Sequence, residues 1–193
     1  SKHILVQDSI VRDASDAGSY VGQSDNIIVR RNTAVENVAG IEIENSYNAE
    51  VTENLATRNT GGILVFDLPN LPQMGGHNVL VARNAVIDNN TDNFAPEGNI
   101  VAGVPAGTGV MVMANRNVHV TENALINNGT AAVMLVAYTQ KFDDATYIPT
   151  ARSVSVSKNI YSRFGYAPDF PGGALFAQAF GGHLPAIIYD GLG

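Results

Sequence analysis

Apolar and polar residues alternate along this chain in short runs, as at Ile27 and Val29, Ile41 and Ile43, Val110 and Val112, and Val133 and Leu135. No stretch holds a helical spacing for long. Alternation at every second residue predicts strands with one buried face. The runs are set on a grid of asparagines: Asn26-x-x-Val29-x-x-Asn32, Asn48-x-x-Val51-x-x-Asn54, Asn78-x-x-Val81-x-x-Asn84 and Asn117-x-x-Val120-x-x-Asn123. A fifth copy carries Ser153 in the first place and ends Val156-x-x-Asn159. Self-similarity of this kind means one structural unit per repeat, each stacked on the next.

The second half of the unit repeats as well, since Asn32-x-Ala34-x-x-Asn37-x-x-Gly40-Ile41-x-Ile43 is followed by Asn54-x-Ala56-x-x-Asn59-x-x-Gly62-Ile63-x-Val65. From Asn32 to Asn54 the step is 22 residues. That length suits three short strands and three turns at roughly 3.3 Å per strand residue, and is too short for a helix pair or a propeller blade. Later steps are longer, and the surplus falls in three Gly/Pro/Asp-rich insertions: Leu68 to Gly76, Asn90 to Thr108 and Tyr138 to Thr150. A degenerate first turn precedes Asp25, with Ile4, Val6, Ser9 and Gly18 matching Ile27, Val29, Asn32 and Gly40. Six turns are therefore expected, the last of them ragged beyond Asn159.

In such a coil each asparagine lies one rung, about 4.8 Å, from its equivalent, where its amide can bond its neighbour and satisfy turn backbone. The columns Asn26/Asn48/Asn78/Asn117, Asn32/Asn54/Asn84/Asn123/Asn159 and Asn37/Asn59/Asn89/Asn128 read as structural ladders. The residue before the second column runs Asp8, Arg31, Glu53, Arg83, Glu122, Lys158. Its sign alternates at every rung, so each charge meets opposite charge above and below, and the column specifies register.

Composition narrows the functional classes. The 193 residues are 45% hydrophobic with no Trp, so the core must be built largely from Val, Ile, Leu and Ala, and no apolar run is long enough to span a bilayer. The formal net charge is −7, which would repel a phosphate backbone, so no nucleic-acid partner is expected. Without cysteine there is neither a disulfide nor a thiolate metal site. The Gly-Gly-x-Gly-x-Asp series of calcium-binding repeats is missing too, so no cofactor is expected, with calcium left open but indicated by no motif.

The pattern NxxVxxNxAxxNxxGIxI at a 22-residue step resembles the right-handed parallel β-helix repeat of the pectate-lyase-like superfamily, over nearly the whole chain. With the tail Ile187-Ile188-Tyr189-Asp190-Gly191 it is similar to bacterial envelope proteins known only as parallel β-helix repeat proteins. The resemblance implies an all-β fold, a right-handed parallel β-helix (single-stranded β-solenoid) of about six turns with three loop insertions. It also implies a periplasmic or extracellular home, although Ser1-Lys2-His3 leads straight into strand residues with no signal peptide in view. Residues 1–193 are read as a single β-helix domain. Ile4 and Val6 already belong to a rung, so the first rung is expected to be completed by residues outside the chain or by end-to-end self-association, and Phe164 to Gly193 to fold as a lid over the last turn.

Enzymes of the superfamily place their substrate groove on the strand after the glycine. Aligning Gly40, Gly62, Gly109, Ala132 and Gly173 gives inward pairs ending in Ala174/Phe176, and outward columns Glu42, Leu64, Met111, Met134, Leu175 and Glu44, Phe66, Met113, Val136, Ala177. Beyond the first glutamates this face is apolar. Either the insertions cover it, or Leu64, Phe66, Met111, Met113, Met134 and Val136 form a binding surface for a partner or a hydrophobic ligand. Candidate catalytic groups are sparse: Tyr138, Lys141, Asp143, Asp144, Arg152 and His183. The polygalacturonase set of Gly-x-Asp-Asp, Gly-His-Gly and Arg-Ile-Lys is not matched by Phe142-Asp143-Asp144 and Gly182-His183-Leu184, and the Asp-Pro-His-Glu segment of alginate epimerases is absent. The favoured function is a binding or structural module of the envelope, towards polysaccharide or a partner protein. The alternative is a polysaccharide lyase, hydrolase or epimerase, which would require the catalytic candidates to converge over the coil.

Overall fold

A computed structural model describes residues 1–192. The chain winds through six rungs of three strands. Rung one comprises β1 (Lys2–Gln7), β2 (Ile10–Arg12) and β3 (Ala17–Gly22), and rung two β4 (Asp25–Arg30), β5 (Thr33–Val35) and β6 (Ala39–Glu44). Rung three holds β7 (Tyr47–Thr52), β8 (Leu55–Thr57) and β9 (Gly61–Phe66), and rung four β10 (His77–Ala82), β11 (Ala85–Ile87) and β12 (Thr108–Met113). Rung five holds β13 (Arg116–Thr121), β14 (Ala124–Asn128) and β15 (Ala131–Val136), and rung six β16 (Arg152–Ser157), β17 (Ile160–Phe164) and β18 (Ile187–Tyr189). Equivalent strands pair in parallel to form three six-stranded sheets, and the three expected insertions lie between β9 and β10, β11 and β12, and β15 and β16.

Inward positions stack like with like. The first sheet carries Val6, Val29, Val51, Val81, Val120 and Val156 in one register column, and the four inner valines are fully buried. Ala34, Ala56, Val86 and Leu125 from the second sheet, with Ile41, Ile63, Val110 and Val133 from the third, complete this core. β-branched side chains suit such a narrow, pleated interior.

Two of the asparagine columns lie buried in the turns. Asn54 accepts from the backbone N–H and the amide of Asn32 (2.9 and 3.0 Å) while its own amide donates to Val29 O and Asn84 Oδ1 (both 3.0 Å). Asn37, Asn59, Asn89 and Asn128 repeat the arrangement one turn further on. Outside the first column, Asp8 pairs with Arg31 at 2.8 Å, and Arg83 reaches Glu53 at 4.0 Å and Glu122 at 3.9 Å.

The last rung differs from the sequence alignment. Gly173–Ala179 is a short helix, α1, and the strand that pairs with β15 is β18, with Val133 opposite Ile187 and Met134 opposite Ile188. Ala174/Phe176 are therefore not an inward pair. The glycine drew the alignment there, but Ala174-Leu175-Phe176-Ala177-Gln178-Ala179 contains no β-branched residue and several strong helix formers, whereas Ile187-Ile188 suits a strand. The excursion between β17 and β18 is strapped along the flank of the coil: Ala167 N–H donates to Gly129 O, and Asp169 Oδ2 accepts from Ala106 N–H.

Candidate functional site

The outer face of the third sheet is roofed by the chain itself. Leu64, Phe66, Met111, Met113 and Met134 are buried in one cluster with Val101, Val104 and Tyr147 from the insertions, and Leu68, Met74, Tyr138, Phe142 and Val136 pack around it. Asn45 pins the first insertion by accepting from Leu68 N–H and donating to Leu68 O and Gln73 O, all at 2.8 Å. Tyr138, Phe142 and Tyr147 hold the third by two edge-to-face contacts and one tilted contact, with ring centroids 5.0 to 6.2 Å apart. The methionines, Phe66 and Val136 still line a cavity of about 310 Å³ between the second and third insertions. Leu64, Phe66 and the three methionines are themselves buried, so they do not form the open apolar face that the sequence allowed.

The catalytic candidates are dispersed. Tyr138, Lys141, Asp143 and Asp144 share one insertion, but Tyr138 packs inward and Asp144 caps its own turn through Thr146 N–H (2.8 Å) and Thr146 Oγ1 (2.6 Å). Those bonds hold the Asp144 carboxyl below the usual carboxylate range. Arg152 opens β16, and His183 lies beyond α1 against the Phe164 ring. Among the described residues no hydrogen bond or ion pair joins Lys141, Asp143, Arg152 or His183 to another candidate.

A strongly perturbed carboxyl lies elsewhere. Glu42 stands in the outward column between Tyr20 and Leu64 and is fully buried, with Oε1 lacking any partner. Burial first, then Glu44 and Asp16, push its carboxyl up to about 8. Tyr20 O–H donates to Glu44 at 2.8 Å, and burial with that carboxylate raises the phenol. Glu44 is itself raised by burial, against the lowering effect of the Tyr20 bond.

The first sheet carries an open concavity of about 640 Å³, from His3 in rung one to Asn117 and His119 in rung five. Its origin is local. His3, Asn26, Asn48, Asn78, Asn117 and Ser153, the second residue of each strand, all have φ between 51° and 59°, and the register skips each of them. Asparagine tolerates this left-handed geometry better than most residues. The bend folds every strand at one place and leaves a trough between the asparagine column and the next outward column: Leu5, Ile28, Glu50, Leu80, His119.

Within the trough the amides form a third ladder, this one in solvent. Asn48 donates to Asp25 at 2.8 Å, Asn78 to Asn48 at 2.9 Å and Asn117 to Asn78 at 2.6 Å. A primary amide has two N–H donors and two acceptor lone pairs, so Asn48 and Asn78 each keep one of either kind facing outward. Beside them Leu5 and Ile28 expose apolar surface. The ladder from Asn48 to Asn117 is legible in the sequence, but at its lower end Asn48 bonds Asp25 in place of the expected Asn26, and the ladder's exposure went unread there. The signal was present, because Asn26 immediately precedes inward Ile27 and must point out, as must Ile28 and Leu80.

Comparison with known proteins bears on the fold. The family described as the right-handed beta helix region matches residues 1–70. No curated protein sequence matches the chain. Among solved structures, a variant of the periplasmic alginate epimerase AlgG aligns at 16% identity with a TM-score of 0.52, over 83% of this chain and 40% of the epimerase. The unsubstituted AlgG aligns at 18% identity and 0.49, over 84% and 39%, and the A-module of the Azotobacter vinelandii mannuronan C-5 epimerase AlgE4 at 13% and 0.43, over 83% and 54%. The chain thus spans about 40% of the length of the AlgG variant. At such identities the likeness concerns architecture, and with three parallel sheets wound through six rungs the chain is a right-handed parallel β-helix.

Proposed function

We propose that this solenoid is a binding module which seats an extended polysaccharide along the trough of the first sheet. The observation that carries the reading is the solvent-facing amide ladder Asn48/Asn78/Asn117 beside an apolar column. Sugar hydroxyls both donate and accept, matching amides that offer one of each, and the C–H faces of sugar rings suit Leu5, Ile28 and Leu80. Rungs recur about every 4.8 Å, so one amide can serve each successive unit of an extended polymer. AlgG is a periplasmic alginate epimerase, and its likeness in fold supports a polysaccharide ligand and an envelope location for the present chain.

Binding is favoured over catalysis because the acid and base in the trough are apart: Glu50 and His119 share a column but are separated by the rung of Leu80. General acid–base chemistry needs both within reach of one reacting centre. Isothermal titration against neutral and acidic glycans tests the reading. Asn78→Gly preserves the left-handed bend and removes the amide, and is expected to weaken binding about tenfold, roughly the worth of one good hydrogen bond. Unchanged affinity in that variant, or no affinity for any glycan, would overturn it.

A further inference from the structure

At the edge of the trough the chain departs from its own rule for placing charge. Where cations sit in the column between the first and second sheets they alternate with carboxylates, and Arg31 and Arg83 each find an acidic partner. At the corner between the third and first sheets the register column runs Lys2, Asp25, Tyr47, His77, Arg116, Arg152. It ends in two arginines directly opposite one another on neighbouring parallel strands, about 4.8 Å apart. Like charges so placed destabilise a sheet.

Neither arginine makes an ion pair or side-chain hydrogen bond among the described residues, and Arg152 Nε is buried with no partner. Asp67 is the nearby carboxylate whose charge interacts with Arg152, but its oxygens accept from the N–H groups of Gly76 (2.8 Å) and Gly75 (3.1 Å) instead. The corner is framed as well. The first and third insertions both leave from it, one before β10 and one before β16, while between them β12 and β13 are joined only by Ala114 and Asn115. Arg116 is left exposed in this gap, next to Asn117 of the amide ladder, with the Tyr47–His77 stack (centroids 4.3 Å apart) on its other side.

We propose that Arg116 and Arg152 form an oxyanion site, taking a carboxylate, sulfate or phosphate group between them. Guanidinium groups are suited to it, since their planar forks match an oxyanion's geometry and lose less on desolvation than an ammonium. A bound anion turns the repulsion into two attractions. Because the site adjoins Asn117, the anionic group can be free or can belong to a polymer lying in the trough. The polymer case rests on the proposed function and the free-ion case does not.

The first arm titrates sodium sulfate into the protein at constant ionic strength, with chloride as balance, and follows the arginine side-chain N–H signals by NMR. Saturable shifts are expected at Arg116 and Arg152 but not at Arg163, and Arg116→Gln should weaken sulfate at least about tenfold. Arg116 is exposed, so this variant should fold, and Arg152→Gln is the second test. Non-saturating shifts, or equal shifts at Arg163, would overturn the site. The second arm compares a neutral with a sulfated or carboxylated glycan. Arg116→Gln should weaken only the charged polymer and Asn78→Gly both. Sulfate binding without any glycan binding would leave the site standing and remove the trough reading. Equal binding of a charged glycan by Arg116→Gln and the parent would remove the polymer role of the arginines.

Discussion

At the scale of single residues, this protein pairs almost everything polar that it buries; among the described residues Glu42 Oε1 and Arg152 Nε are the exceptions, and Glu42 carries the pH dependence. In the unfolded chain its carboxyl ionises near 4.5, whereas the folded state keeps it protonated to about 8. Between those limits the native state holds the extra proton, so Glu42 lowers stability progressively as pH rises through the window and by its full amount above about 8. Glu42→Gln keeps shape and removes the charge. Urea unfolding should find the variant close to the parent at pH 4.5 and more stable by a few kcal/mol at pH 9, and an unaltered pH slope would mean that Glu42 ionises without penalty. The opposite is expected of Asn54, which accepts two bonds and donates two in the buried ladder. Asn54→Ala orphans Asn32 N–H and Val29 O, at a cost of about 2–5 kcal/mol by chemical denaturation.

At the scale of elements, turn and strand are fixed together by the ladder and by glycine. Gly62 illustrates the constraint: a Cβ there would lie 2.4 Å from Val86 Cγ1 and 2.7 Å from Gly109 O, the latter backbone of the next rung. Gly62→Ala should therefore force adjacent rungs apart and cost more than about 2 kcal/mol, while Gly75→Ala, with φ of 76° and open space around it, should cost only about 1 kcal/mol of backbone strain. Melting temperatures of the two variants check the order. The same repetition explains how much of the fold is legible in the sequence. Strand positions, registers, both buried ladders and the alternating charges follow from side chains that recur at one step, because stacking makes each a neighbour of its copy. The insertions carry no such repeat, so the pattern leaves open whether Phe142 and Tyr147 cover the sheet of Met113 or leave it bare. Beyond Asn159 the repeat stops constraining the chain, and a lone glycine at 173 was a poorer guide than the helix propensity around it. The outward direction of the Asn78 column can be read from alternation, but the trough beside it comes from the left-handed bend at the second residue of each strand, which the strand pattern does not announce.

At the scale of the whole molecule, a solenoid is nearly one-dimensional, each rung being held by the rung on either side. The column Val6, Val29, Val51, Val81, Val120, Val156 offers one substitution at six heights, with identical chemistry and different cover. The four inner valines are fully buried, whereas Val6 and Val156 are half-buried in the end rungs. Val→Ala removes two methylene equivalents and leaves a void only where both neighbours are packed. The expected cost is about 2 kcal/mol at Val29 through Val120 and nearer 1 kcal/mol at Val6 and Val156. Urea unfolding of the six variants gives the profile, and native-state hydrogen exchange should follow it, with protection highest in rungs three and four and least at the ends. A flat profile carries its own consequence. If Val6→Ala costs as much as Val51→Ala, something stacks on the first rung in solution, and repeating the measurement over a range of protein concentrations separates a second copy, whose contribution grows with concentration, from cover that does not.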